Sequence, residues 1–213
     1  MLSQPSEQSL LRIGRGLAVI AVCLGLVSAC GGISRGPLTT PNTTGAGVAT
    51  TAGTVAIFTI QATNKSDQPL TLSAISLLPV PGQPTPVLEH YAIIPGLDTL
   101  EDATGWPPPA SGGPGPNGTW PRLSLRGYIV RPHGYVSIMV GVAGARAGVV
   151  YVVGGLTARY LLRGKPTSSV LGMVDMLCVD AVAQAAHDTC QSQHDQVLED
   201  RAMAYVAKLT AAR

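Results

Sequence analysis

The chain has 213 residues, of which 46% are hydrophobic and 12% charged, enough for one sizeable core and short for two full domains. A formal net charge of +2, with no block of Lys or Arg along the chain, argues against a nucleic-acid partner, because phosphate binding needs a concentrated basic footprint.

At the N-terminus, Arg12 and Arg15 flank an apolar run, Leu17 to Leu26, that ends in the small residues Val27, Ser28 and Ala29 directly before Cys30. The run falls short of the about 20 apolar residues that a bilayer-spanning helix needs. Val27-Ser28-Ala29-Cys30 resembles the lipobox of bacterial lipoproteins. The resemblance implies that residues 1–29 are a signal peptide cut away by signal peptidase II, and that the Cys30 thiol carries a diacylglyceryl group. The rest of the chain is then lipid-anchored to the cell membrane, facing its extracytoplasmic side, with membrane lipid as its first partner. An uncleaved signal anchor is the alternative.

Residues 30–53 read as the lipidated Cys followed by a flexible linker, because Gly31 to Gly53 holds too few large apolar side chains to offset the entropy of ordering. Within it, Gly32-Ile33-Ser34-Arg35-Gly36 matches the Gly-x-Ser-x-Gly pattern of serine hydrolases. That pattern has chemical meaning only on a strand-to-helix elbow, so here it reads as coincidence.

From Thr54 the chain turns to short β-branched runs separated by turn residues. Strands are expected over 54–63, 70–78, 87–94, 123–130, 135–142, 148–153, 156–162 and 170–179, with Arg131-Pro132-His133-Gly134 and Gly154-Gly155 among the turns. Seven or eight such strands without helical periodicity predict two packed antiparallel sheets, an immunoglobulin-like β-sandwich over residues 54–179. The Cys, Trp, Cys spacing of true immunoglobulin domains is absent, so the prediction concerns architecture alone.

A Pro- and Gly-rich loop, 105–121, interrupts this pattern and is bracketed by the two Trp residues of the chain, Trp106 and Trp120. Long loops of this kind are functional or disordered. The rings serve either as clamps that hold the insertion on the sandwich or as exposed platforms for a protein or cell-wall partner. The order of a first strand ending in an Asn-containing turn, then Val87-Leu88-Glu89-His90, then Gly134-Tyr135-Val136-Ser137-Ile138-Met139, resembles the cupredoxin-like periplasmic copper chaperones. That resemblance implies a soft-metal site at His90 and Met139. Tyr135-Val136-Ser137 stands where that family has a His-x-Met pair.

Beyond Val179 the texture becomes Ala, Gln, His and Asp. Leu198, Ala202, Tyr205 and Leu209 recur at helical spacing, so residues 180–213 read as a C-terminal helical extension whose stripe packs on the sandwich. Cys178 and Cys190 remain after lipidation of Cys30, an even pair in an oxidising compartment, and a disulfide between them is expected. On one continuous helix they would lie about 18 Å apart, so the chain must bend between them. His187, Cys190 and His194 would share a helical face, but oxidation of Cys190 competes with a zinc site there. The adjacent Glu101 and Asp102 read as solvated charges, and no catalytic triad or phosphate loop is recognisable. The sequence therefore points to a non-enzymatic envelope-binding module without a cofactor, with copper carriage as the alternative.

Overall fold

The alternating pattern of Thr54–Ala62 and Tyr135–Val142 becomes two long strands, β4 (Val55–Asn64) and β9 (Tyr135–Ala143), paired antiparallel from Val55↔Ala143 to Thr63↔Tyr135. The computed structural model describes residues 36–40, 43–44, 47–95, 103–106, 121–182, 184–186 and 196–211. Cys30, Trp120, Cys190, His187, His194, Glu101 and Asp102 lie outside the described residues.

The first sheet runs β1 (Leu38–Thr39), β4, β9, β6 (Val87–Ile93), and β7 (Ala103–Thr104) extends the β1 edge of β4. In the second sheet, β2 (Thr43–Thr44) and β3 (Val48–Thr51) run parallel to β11 (Lys165–Asp180). The sheet continues through β10 (Val149–Leu162), β5 (Leu70–Pro79) and β8 (Ile129–Val130), all antiparallel. The order β1-β4-β9-β6 facing β11-β10-β5 corresponds to strands A-B-E-D facing G-F-C. The fold is an immunoglobulin-like β-sandwich.

Between the sheets the inward side chains of every long strand meet, with Phe58, Ile60, Ile138, Leu72, Leu156 and Leu177 all at most 2% exposed. Each such burial contributes about 1.5–3 kcal/mol against the unfolded chain. Helix α1 (Gln196–Ala211) lies on the outer face of the second sheet, where Ala202 and Val206 pack against Val152, Val174 and Met176. Leu198, Tyr205 and Leu209 complete the predicted stripe.

Three expectations are corrected. Part of the expected linker is strand: β1, β2 and β3 fall within it, and Leu38, Val48 and Thr50 are buried. Its small residues order because the sandwich edge supplies partners: Gly36 N–H donates to the Ser168 carbonyl at 3.0 Å, and Gly47 N–H to buried Asp175 Oδ1 at 3.1 Å. Next, Gly154-Gly155 is not a turn between two strands but a bulge inside β10, at which the β11 register shifts. Gly155 sits at φ +109°, and a Cβ there would collide with the Leu171 carbonyl, so only glycine lets the strand continue. Finally, the strand expected over 123–130 contracts to β8 plus a single bridge, Leu123↔Ile93, because a turn closes on Leu125 through the Tyr128 N–H at 3.1 Å.

Candidate functional site

Two ends of the sandwich follow from the strand directions. At the end where the chain enters, Lys65 N–H donates to the Pro37 carbonyl at 2.8 Å, beside the turns 64–70, 131–134 and 162–165. At the far end, Gly53 N–H donates to the Gly144 carbonyl at 3.0 Å and Gly148 N–H to the Val179 carbonyl at 2.8 Å.

The sequence candidates Trp106, His90 and Met139 gather on the outer face of the first sheet, toward that far end. β7 brings its chain alongside β4, and Gly105 N–H donates to the Val55 carbonyl at 2.7 Å, which lays Trp106 across the sheet. The floor beneath the indole is Gly141, where a Cβ would meet Val55 Cγ1 at 2.8 Å, Trp106 Cε3 at 3.1 Å and His90 Cβ at 3.3 Å. An aromatic ring over a strand glycine covers backbone that would otherwise be open to water. His90 lies opposite Gly141 because of a register shift after Leu88, and its ring stacks on the indole at 5.0 Å between centroids and 19° between planes.

Met139 stands one rung along the same face, opposite Ala92, in an apolar cluster with Ile57, Ala92 and Ile94. All four are at most 5% exposed, and Trp106 packs on them while half-buried itself. Among the sequence readings of Trp106, this arrangement has the geometry of the clamp. It gives Met139 a packing role and His90 a stacking one. Among the described residues, no group of three or more His, Cys, Asp or Glu could hold a metal ion.

Cys178 is disulfide-bonded, and its side chain belongs to the apolar seam beneath α1. Its partner lies outside the described residues, and Cys190 remains the expected one.

A feature missed in the sequence is an open cleft of about 1000 Å³ between β1, β11 and the last turn of α1, lined among others by Leu38, Lys65, Ser169, Val170, Ala207 and Leu209. Ser169 Oγ lies 2.8 Å from the Tyr160 hydroxyl. Burial pushes the Tyr160 phenol above its ordinary value of 10.0, opposed by hydrogen bonds to Ser169 and the Leu38 backbone. Gly36 packs so closely on Tyr160 that a Cβ would overlap the hydroxyl. The last glycine of the Gly-x-Ser-x-Gly coincidence is therefore required for packing. No local sequence signal marks the cleft, because its walls come from three remote segments.

Fold and site together define an immunoglobulin-like sandwich with one face covered by a helix and the other by a tryptophan–histidine stack. No protein-family profile matches the chain, and no curated protein is similar to it in sequence. Among solved structures it is similar to the ASH / PapD-like domain of human CEP192 (PapD-like domain 7) at 8% identity and a TM-score of 0.35, over 82% of this chain and 97% of that one.

Proposed function

We propose that the chain is a membrane-anchored extracytoplasmic lipoprotein whose sandwich is a non-catalytic binding module for another component of the cell envelope. What supports this reading is the lipobox-like Val27-Ser28-Ala29-Cys30 together with the entry of the chain at one end of the sandwich, beside Lys65. On this reading the acyl group sits on Cys30, and Gly36 is already bonded to the sandwich, its N–H donating to the Ser168 carbonyl at 3.0 Å. Six residues reach at most about 20 Å even when fully extended. Strand β11 has 16 residues, so the sandwich is about 50 Å long, and its far end stands that distance out from the anchored end.

Trp106 and His90 are carried toward that outer end, on the face where loop 105–121 leaves the sheet. This is the preferred contact surface. A photo-crosslinker placed at exposed Thr104 tests it in cells. The expected outcome is a discrete set of crosslinked envelope partners that disappears in a chain lacking residues 107–120. The same set captured by both chains removes the loop as the contact surface.

A further inference from the structure

The turns at the entering end share a chemistry that the far end lacks. Lys65, Arg131, Arg163 and Lys165 are all exposed there, and Lys208 in the last turn of α1 is exposed on the same side, next to the cleft residues Ala207 and Leu209. Against these five cations the turns hold one carboxylate, Asp67, whose Oδ1 lies 2.9 Å from His133 Nε2. Ser66, Asp67, Arg163 and Lys165 line one shallow depression, so two of the three turns are neighbours. Asn64 ties in the third, donating from Nδ2 to the Arg131 carbonyl at 3.1 Å.

Apolar side chains stand beside these charges. Ile129 and Leu161 are 58% and 41% exposed and flank Thr71 from either side on the outer face of the second sheet. Tyr135, the first residue of β9, is 49% exposed. Basic side chains interleaved with an exposed tyrosine and aliphatic residues suit the headgroup region of a bilayer, where charge meets anionic phosphate and apolar tips enter the interface.

We infer that this end of the sandwich docks on the anionic phospholipid surface to which Cys30 anchors it, through Lys65, Arg131, Arg163, Lys165 and Lys208. The inference rests on the reading of Cys30 as the anchor, since a tether of about 20 Å keeps these turns close to the bilayer surface. The screening length there is about 8 Å at physiological salt, shorter than the tether's reach, so the tether brings these turns near and their own charges hold them in contact. A docked sandwich stands upright and holds its far end away from the bilayer.

Arg163 supplies a variant that separates docking from folding. Arg163 and Gly164 form the two-residue turn between β10 and β11, with φ +52° and +74°. Asn is the preferred residue at the first of these positions, so Arg163→Asn keeps or improves the turn while removing a charge.

The test uses the full chain in lipid nanodiscs of pure phosphatidylcholine or of phosphatidylcholine with phosphatidylglycerol, read by hydrogen exchange of peptides covering 64–70, 131–134 and 162–168. Slower exchange on the anionic discs is expected, abolished by high salt and weakened about fivefold for each cation removed, starting with Arg163→Asn. Equal exchange on both discs overturns the inference. So does protection that appears only when envelope proteins are added, which would assign the patch to an acidic protein. The mass of the N-terminal peptide in the same samples reports acylation of Cys30 independently, so failure of the anchor and failure of docking are told apart.

Discussion

Where the chain enters the sandwich, tight turns present Lys65, Arg131, Arg163 and Lys165, and α1 adds Lys208. At the far side the described charges are Glu89, Asp180, Glu199 and Asp200 against Arg146 and Arg201. Among the described residues the two ends therefore differ in charge, basic where the chain enters and acidic at the far side. The outer faces differ in the same direction. On the first sheet, toward the far end, Trp106 stacks on His90 above Gly141, whereas on the second sheet, near the entering end, Ile129 and Leu161 are exposed beside the cations. Under the proposed anchoring at Cys30, the basic end faces the lipid surface and the other end faces away from it.

The entering end is the more easily broken of the two. Gly36→Ala forces a Cβ into the Tyr160 hydroxyl and disrupts its bond to Ser169, and a loss of about 3 kcal/mol in chemical denaturation is expected. A loss under about 1 kcal/mol would mean that Gly36 and β1 are not held against the core as described.

At the far end, Trp106→Ala removes a half-buried ring from the cluster of Ile57, Ala92, Ile94 and Met139 and is expected to cost about 2 kcal/mol. A ring serving only as a recognition platform would leave the denaturation midpoint unchanged, so this measurement separates clamp from platform.

Tyr160 gives the comparison a pH axis. Its phenol titrates higher in the folded chain than in the unfolded one, so the folded state binds more protons above pH 10, and stability falls as pH rises through that region. The slope is at most about 1.4 kcal/mol per pH unit, and Tyr160→Phe should flatten it. An alkaline melting profile identical in both chains would show that the phenol is not the group responsible.

The smallest effect runs the other way. Arg163→Asn should stabilise the fold by about 0.5 kcal/mol, because Asn adopts positive φ more readily than Arg. A destabilised variant would indicate that the Arg163 side chain holds the turn itself.

The strands of the sandwich were legible wherever a single face alternates, as in Val136, Ile138, Val140 and Val142, and α1 was legible from Leu198, Ala202, Tyr205 and Leu209. The N-terminal strands were not. Leu38, Thr43 and Val48 have no local pattern, and their order comes from partners far along the chain, such as Thr43↔Met173. Arg163-Gly164 escaped notice because Arg is an uncommon choice at positive φ, and Gly154-Gly155 misled because paired glycines mark a bulge as well as a turn. The sequence named Trp106, His90 and Met139 for two different roles. Only the register shift after Leu88 and the pairing of β7 with β4 put them on one face.

Orientation of the whole molecule depends on the chemistry at Cys30, and the mass of the native N-terminal peptide tests that directly. The account requires a chain that starts at Cys30 and carries a diacylglyceryl group. A peptide that still begins at Met1, or a mature terminus without fatty acid, would contradict it.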